Sequence, residues 1–467
     1  MSSSPYSLPA LKTKADVERE KDQAKVKRFQ AIDRDIQDGR LTEAAAALNE
    51  LQKEDASDAR IYVAGWLLAL RAGNAKSALA SARRAVDLAP MLAMPHYCLA
   101  ESLRAEGDVA GARLSAEKAL VLAPDNMKFR ELAVNLANAL GDYAAAEAHL
   151  RIAYERDPKV PGIKTMIASA MRFQQKLAEA RQWFSDAIAD NADDLTFSAA
   201  GEDIGQADDV YAHYGLAMVA HEQGDRDTAQ RQIAEALRLQ PDDPEFLYLR
   251  AAFSGETPER QPEAMTRGVF DQYAPRFDKH LVGALKYRVP QRIAKLITDR
   301  YPDRKLSILD LGCGTGLVGA SVGRIDGHFV GVDLSLPMIE EAKKHGAYTR
   351  FHHVNLLDAL DATDANEFDV VVAGDVFIYV GAVETPLRDA FKVLKRGGWI
   401  FFSCERAAED GPDLVLEKSL RYSHKASHVR TLLDQLGFVA CEFEDVDLRT
   451  ENGVAIPGFI VSAQKPL

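Results

Sequence analysis

Three glycines spaced two residues apart form the motif in this sequence that is best suited to hold a ligand. They are Gly312, Gly314 and Gly316, with Asp310 before them and Asp333 lying 21 residues after the first glycine. Glycines remove side chains where the backbone has to turn sharply and lie against a ligand. A carboxylate at the end of the next strand can accept hydrogen bonds from both hydroxyls of a ribose. We therefore expect a nucleoside-binding loop here.

The elements around this loop have to bring it to the edge of a sheet. From Lys305 onward, short β-rich runs alternate with helical stretches, which predicts a mainly parallel, doubly wound sheet. The last two runs are joined by residues 447–457, a connection without a helical crossover, so we expect an antiparallel hairpin there. The predicted strands are residues 306–311, 328–334, 350–356, 368–373, 399–404, 438–446 and 458–463.

This combination resembles a class I S-adenosylmethionine-dependent methyltransferase domain, which we place at residues 263–467. The spacing Gly-x-Gly-x-Gly after Asp310 is similar to motif I of that family and differs from the Gly-x-Gly-x-x-Gly of nicotinamide sites. The resemblance implies a seven-stranded Rossmann-like fold, methyl transfer and S-adenosyl-L-methionine as the cofactor. It also implies a set of cofactor-binding residues: Asp310, Gly312, Gly314 and Gly316 around the methionine part, Asp333 at the ribose, Leu334 and Met338 beside the adenine, Leu357 and Asp358 at the adenine amino group, and Asp375 facing both cofactor and acceptor.

Aromatic residues are unusually frequent just before the first strand, among residues 269–290. In the family that this domain resembles, the N-terminal helix commonly lies over the cofactor and excludes water from it. Tyr273, Phe277 and Tyr287 are placed to serve such a cap, and aromatic faces suit a cationic sulfonium. The alternative is plain packing of an amphipathic helix on the sheet.

Four residues in loops at the expected carboxyl edge of the sheet are candidates for catalysis: Asp375, His424, Arg449 and Glu451. His424 is suited to act as a general base, because its unperturbed pKa lies near neutrality, or it makes a structural hydrogen bond. Arg449 either clamps an acceptor carboxylate or pairs with Glu451. Residues 374–377, Gly-Asp-Val-Phe, stand where enzymes that methylate exocyclic amino groups carry Asn-Pro-Pro-Tyr, which favours oxygen or a peptide group as acceptor.

The first half of the chain repeats itself every 34 residues. Gly39, Gly73, Gly107 and Gly141 are each followed five positions later by alanine, and a proline ends several of the units. The pattern predicts helix-turn-helix units in which glycine permits the turn and alanines let two helices approach closely. It resembles the tetratricopeptide repeat, and the resemblance implies a solenoid whose concave face binds a peptide or protein partner.

The domain organisation follows from these two patterns, and the predicted fold class is α + α/β. An N-terminal tail at residues 1–24 precedes a solenoid at 25–253, made of about six repeats and a capping helix. Gln175 replaces the glycine of the fifth unit, and an insertion at residues 195–209 is predicted to be a surface loop. Residues 254–262 read as a linker to the methyltransferase-like domain.

Composition excludes several classes of function. The chain has 57 basic and 70 acidic side chains, a net charge of −13, which argues against nucleic acid or an anionic membrane surface as partner. The four cysteines lack the spacing of metal ligands, so no metal is expected and a reducing compartment fits. No apolar stretch is long enough to cross a bilayer. We therefore expect a cytoplasmic protein.

Three functional hypotheses remain open at this point. In the first, the chain is a methyltransferase whose repeats recruit a protein, peptide or carrier-bound acceptor. In the second, it is a small-molecule O-methyltransferase whose repeats serve assembly. In the third, it is a repeat scaffold with a cofactor-binding but catalytically idle domain. Intact glycines and both nucleoside-binding acids disfavour the third.

Overall fold

The structure is a computed structural model that describes residues 13–193, 204–274, 277, 287–451 and 453–467. It divides into two compact units, Met1–Val160 and Pro161–Leu467. The predicted linker, residues 254–262, lies inside the second unit. The compact units therefore do not separate at the boundary that the sequence suggested.

The described residues of the first unit, from residue 13 on, form four helix pairs. The turn inside each pair contains a glycine in the left-handed region, with φ between +68° and +83° at Gly39, Gly73, Gly107 and Gly141. Asn74 begins its helix by accepting a hydrogen bond from the backbone of Ser77, as N-cap residues do. The helices are α1 (Lys14–Gln37), α2 (Leu41–Glu54), α3 (Ala59–Arg71), α4 (Ala75–Leu88), α5 (Ala93–Ala105), α6 (Val109–Leu122), α7 (Met127–Ala139) and α8 (Tyr143–Arg156).

The second unit starts with two more helix pairs and a single helix. Gly224 turns the second pair at φ +77°, and Gln175 adopts the same left-handed conformation, φ +61°, in the first pair. The turn is thus kept although the glycine is lost. The helices are α9 (Ile163–Phe173), α10 (Leu177–Asp193), α11 (Ile204–Gln223), α12 (Arg226–Leu239) and α13 (Pro244–Ser254).

The predicted insertion is only partly a loop. Residues 195–203 lie outside the described part of the chain. Residues 204–209 belong to helix α11, so the prediction of a loop is wrong for these six positions.

The rest of the second unit is a sheet with helices on both faces. The helices are α14 (Glu263–Tyr273), α15 (Val289–Arg300), α16 (Leu317–Val322), α17 (Leu336–Lys343), α18 (Leu356–Ala362), α19 (Phe377–Val380), α20 (Glu384–Val393) and α21 (Ala426–Leu436). The strands are β1 (Ile308–Leu311), β2 (Phe329–Asp333), β3 (Arg350–His353), β4 (Phe368–Ala373), β5 (Leu394–Arg406), β6 (Leu414–Leu416), β7 (Tyr422–His424), β8 (Val439–Glu451) and β9 (Val454–Gln464).

The strand order confirms the predicted fold class. Strands β3, β2, β1, β4 and β5 are parallel neighbours, while β9 pairs antiparallel with both β5 and β8. The seven predicted strands are therefore present, with the predicted hairpin at the end. Two three-residue strands were not predicted: β6 pairs with β7, and β7 pairs with the last two residues of β5.

The core lies on both faces of this sheet. Along β4, Val370 and Val372 face the cluster formed with α15 and α16, whereas Val371 and Ala373 face the cluster on the other side. Because parallel strands are covered by helices on both faces, the polar ends of the strands are where a ligand can enter.

Candidate functional site

A cavity of about 540 Å³ lies at the carboxyl edge of the parallel strands. It is lined by residues that follow β1, β2, β3 and β4, and by residues from α14, β8 and the segment before α14. This is the edge at which open α/β sheets bind their ligands.

The glycine loop forms one wall of the cavity. Gly312 and Gly314 line the cavity and have φ of +63° and +54°. A side chain added at Gly314 would meet no atom within 4 Å and would enter open space, which is the shape of a backbone cradle. Gly316 is not among the lining residues; it begins α16 at φ +82°, and an added Cβ would lie 3.0 Å from the Cβ of Ala342.

Asp333 lines the same wall and is fixed by backbone groups. Its Oδ2 accepts a hydrogen bond from the N–H of Gly314 at 2.8 Å, and its Oδ1 accepts one from the N–H of Ser335 at 2.8 Å. Burial raises the pKa of Asp333, although these backbone hydrogen bonds act in the opposite direction. The carboxylate is thus held in one orientation beside the glycine loop.

Asp310 lies below the loop and is almost fully buried. The hydroxyl of Tyr348 donates to its Oδ2 at 2.6 Å. Burial raises the pKa of Asp310 to about 7, and the hydrogen bond from Tyr348 opposes that rise. Tyr348 was not predicted, because its partner lies 38 residues away in the chain.

The end of the third strand corrects one predicted contact. Asp358 is exposed, is not among the lining residues and lies in the first turn of α18. Asn355 lines the cavity instead: its Oδ1 accepts from the N–H of Leu357 at 2.7 Å, and its Nδ2 donates to Glu263 at 2.5 Å. The polar side chain at this position is therefore an amide, three residues before the predicted acid.

The predicted apolar contacts divide in the same way. Leu334 and Leu357 line the cavity. Met338 does not; it is fully buried, and its N–H donates to the hydroxyl of Ser335, which starts α17. Its place beside the adenine stays a prediction, and in the structure the side chain is packed in the core.

Aromatic rings form another wall of the cavity. Phe277 and Tyr287, two of the three aromatic residues proposed as a cap, line the cavity. Burial raises the pKa of the Tyr287 hydroxyl. Tyr273 ends α14, and its side chain lies outside the described part of the structure. Two further rings were not predicted: Phe270 and Tyr379 both line the cavity, with ring centroids 5.1 Å apart.

Five charged side chains from β5, β8 and the segments after β4 and before β7 form a network beside the cavity. Arg449 donates from Nη1 to Asp375 at 2.9 Å, from Nε to Glu451 at 2.6 Å, and from Nη2 to Glu405. Arg421 donates to Glu405 at 3.0 Å and to both oxygens of Glu451 at 2.8 and 2.7 Å. All of them except Glu405 line the cavity. We call these five residues the charged network.

The charged network changes the predicted role of Arg449. Only 4 % of its side chain is exposed, and each of its three nitrogens donates to a carboxylate of the protein. Burial alone would lower the pKa of Arg449, but Asp375 and Glu405 raise it. Of the two roles suggested by the sequence, pairing with Glu451 is the one in the structure, and the carboxylate clamp is not supported.

Asp375 occupies a strained position at the end of β4. Its φ is +59°, a conformation that non-glycine residues rarely adopt and that often marks functional sites. Its N–H donates to the hydroxyl of Ser403 at 2.8 Å, while its Oδ1 is buried without a partner among the described residues. Burial raises the pKa of Asp375 more than Arg449 lowers it.

His424 is corrected as a candidate base. It is 1 % exposed, it is not among the residues that line the cavity, and its Nε2 donates to the carbonyl of Gly381 at 2.6 Å. Burial lowers the pKa of His424 to about 4. A base has to reach the proton that it removes, so this histidine serves structure, the alternative that the sequence left open.

The predicted linker is part of the site. Arg260 and Gln261 line the cavity, and the carbonyl of Glu259 accepts a hydrogen bond from Ala382 at 2.8 Å.

Within the described ranges, no three or more His, Cys, Asp or Glu side chains form a group that could hold a metal ion. In the same ranges, no helix has the length and apolar character needed to cross a membrane.

Comparison with known families gives one match in the C-terminal part of the chain and three in the N-terminal part. Residues 309–402 match the methyltransferase domain family, and residues 63–127, 131–194 and 205–253 match the tetratricopeptide repeat family. The prediction of tetratricopeptide repeats fused to a methyltransferase domain is confirmed.

The curated relatives are similar to this chain over about a quarter to a third of its length. A ubiquinone biosynthesis O-methyltransferase of Hydrogenovibrio crunogenus is 32 % identical over 124 residues, which are 26 % of this chain and 51 % of the relative. The mitochondrial enzyme of the same name from Mus musculus is 30 % identical over 154 residues, 30 % of this chain and 41 % of the relative. The chain thus spans about half the length of the curated relatives that it matches.

Solved structures of a repeat protein and of methyltransferases are similar to part of the chain. The tetratricopeptide-repeat protein YrrB is 18 % identical with a TM-score of 0.37, over 43 % of this chain and 96 % of that one. A 1,6-didemethyltoxoflavin-N1-methyltransferase of Burkholderia thailandensis is 18 % identical with a TM-score of 0.35, over 45 % of this chain and 93 % of that one.

Proposed function

We propose that this protein transfers a methyl group from S-adenosylmethionine to an acceptor that binds in the cavity beside the charged network. The proposal rests on one observation: Gly312, Gly314 and Asp333 lie together on one wall of the cavity. The open space beside Gly314 accommodates a ligand close to the backbone, and the fixed carboxylate of Asp333 is suited to two ribose hydroxyls. The family match of residues 309–402 supports the same chemistry.

The residues of the chain have separate tasks in this proposal. Asp333, Asn355 and Leu357 would hold the nucleoside, and Asp310 with the glycine loop would hold the methionine part. When bound, S-adenosylmethionine supplies a methyl group on an activated sulfonium. The aromatic wall of Phe270, Phe277 and Tyr287 excludes water and offers ring faces to a cation. The enzyme then contributes mostly alignment of the two reactants.

The charged network limits what the acceptor can be. Its three carboxylates and two guanidinium groups carry a net charge of −1 when all are ionised, and Arg449 has no nitrogen without a protein partner. Both cations of the network already pair with its carboxylates, so an acceptor carboxylate would have to compete with Glu405 and Glu451 for them. A hydroxyl or amide acceptor is therefore favoured, in agreement with the Gly-Asp-Val-Phe sequence after β4.

Replacement of Asp333 by alanine tests the nucleoside half of the proposal. Two charge-assisted hydrogen bonds would be lost, so affinity for S-adenosylmethionine should fall by about 2–4 kcal/mol. Titration calorimetry on the full chain measures it, with Asp358→Ala as a matched exposed control. Unchanged affinity in Asp333→Ala would show that the nucleoside does not bind here.

The product that carries the transferred methyl group distinguishes two classes of acceptor. The repeats support recruitment of a protein, peptide or carrier-bound acceptor through their concave face. The curated relatives, named O-methyltransferases of ubiquinone biosynthesis, support a small-molecule acceptor. The full chain, methyl-labelled cofactor and a cell extract should give label in precipitated protein in the first case and in the organic extract in the second. Asp333→Ala should remove the label in both.

A further inference from the structure

The β6–β7 hairpin, which sequence patterns did not predict, joins the last repeats to the cavity. Leu420 and Tyr422 are 6 % and 0 % exposed and belong to one apolar cluster with residues of α11, α12 and α13. Arg421 lies between them in sequence and lines the cavity. Because residues of the apolar cluster flank a residue that lines the cavity, the repeat core and the cavity meet at this one segment.

Hydrogen bonds from the repeat side fix the backbone of the hairpin. His221 of α11 donates from Nε2 to the carbonyl of Lys418 at 2.9 Å. The hydroxyl of Tyr248, on α13, donates to the carbonyl of Leu420 at 3.4 Å. Leu420 has φ +61°, which a leucine adopts only where its surroundings hold it. The repeat helices are those surroundings.

Arg421 in turn connects two carboxylates of the charged network. It donates to Glu405 and to Glu451, and both of these also accept from Arg449, which holds Asp375. A displacement of the hairpin would therefore be passed to every member of the network.

We propose that helix α13 and the helix pair before it position Arg421 at the acceptor end of the cavity, with Leu249 as a positioning residue of α13. The proposal rests on the proposed function for the meaning of that end of the cavity. Leu249 is fully buried in the shared cluster and is not among the cavity-lining residues. The repeats are thereby a structural part of the site, and a ligand that shifts α13 would shift Arg421.

The test compares two truncations of fully buried leucines in the full chain. Leu249→Ala opens the shared cluster, whereas Leu433→Ala opens the separate cluster under α21. Hydrogen exchange of the Tyr422–His424 amides and of the Arg421 Nε–H is followed by NMR, with the amides of β1 as reference. In Leu249→Ala, the β7 amides and Arg421 Nε–H should exchange about tenfold or more faster relative to β1. In Leu433→Ala, their exchange relative to β1 should stay within about threefold.

Two milder variants guard against loss of folding. Leu249→Met conserves volume and should restore exchange to within about threefold of wild type, while Leu249→Val should give an intermediate rate. Equal exchange at β7 relative to β1 in Leu249→Ala, or in Leu249→Val where the alanine variant does not fold, would overturn the proposal. A larger local effect from Leu433→Ala would do the same. Cofactor titration of the same samples reports separately on the proposed function.

Discussion

At the scale of single residues, the end of each parallel strand determines which polar side chain reaches the cavity. After β2 it is Asp333, as the sequence predicted, because the chain continues into a turn that leaves the carboxylate beside Gly314. After β3 the helix starts at once, and the side chain that caps it, Asn355, is the one that lines the cavity. Motif spacing alone could not separate Asn355 from Asp358, since the distinction depends on where α18 begins.

This difference makes a paired prediction. Asn355→Ala removes a cap and a cavity-lining amide, and we expect affinity for S-adenosylmethionine to fall by about 1–2 kcal/mol. Asp358→Ala, three positions away and exposed, should leave affinity within about 0.5 kcal/mol. Calorimetry on both variants decides between the two assignments. A larger loss in Asp358→Ala would restore the acid as the adenine contact.

His424 predicts a dependence of stability on pH. Its pKa is about 4 in the folded protein against an ordinary value of 6.5, so below pH 6.5 the unfolded chain binds a proton that the folded chain does not. The stability from the neutral imidazole is present above pH 6.5 and is lost as pH falls towards 4. Between pH 7 and pH 5 the loss should be about 2 kcal/mol.

Glutamine at this position provides the comparison, because it can still donate to the carbonyl of Gly381 but does not titrate. The difference in unfolding free energy between wild type and His424→Gln should shrink by that amount from pH 7 to pH 5, as measured by denaturant titration. His352→Gln, at an exposed position on β3, is the control. A pH-independent difference at position 424 would show that the imidazole is not buried in its neutral form.

At the scale of elements, the glycine loop and the parallel sheet were predictable because each carries a local signal. Alternating short runs predicted the seven strands, and the 34-residue period predicted the helix pairs. The β6–β7 hairpin was missed because each strand has three residues, too few to show a period. β7 pairs with β5 and with β6, and no pattern in the local sequence indicates either pairing.

Two glycines of the same loop should respond differently to alanine. Both have positive φ, so each substitution costs about 1–2 kcal/mol in backbone strain. At Gly316 the new methyl would also lie 3.0 Å from Ala342 and Tyr348, and we expect the larger loss of stability there. At Gly314 the methyl would enter the cavity, and we expect the larger loss of cofactor affinity there, about tenfold or more. Thermal unfolding and calorimetry on both variants test the pair, and the reverse order would place the ligand away from Gly314.

At the scale of the whole molecule, the sequence located the repeats and the methyltransferase domain but not the contacts between the last repeats and that domain. The hydroxyl of Tyr248 and the carbonyl of Leu420 are 172 residues apart, and such a contact leaves no trace in periodicity or spacing. The composition of residues 254–262 indicated a linker, yet Arg260 and Gln261 line the cavity. A polar, proline-rich segment has the same composition whether it connects two domains or lines a binding site. Only the fold distinguishes the two roles.

This sharing leads to a prediction about fragments. The compact unit begins at Pro161, so a fragment of residues 161–467 should unfold cooperatively and bind S-adenosylmethionine. A fragment of residues 263–467, the domain bounds that the sequence suggested, lacks α9 to α13 and exposes Leu420 and Tyr422, which are 6 % and 0 % exposed in the full chain. Exposure of two such side chains should lower its unfolding free energy by about 3–6 kcal/mol. Loss of Arg260 and Gln261 should weaken cofactor binding as well.

Denaturant unfolding of the two fragments side by side measures the difference in their unfolding free energies. Equal midpoints and equal affinities would mean that the apolar cluster between α11–α13 and the hairpin contributes nothing, and that the boundary at residues 254–262 is the real one.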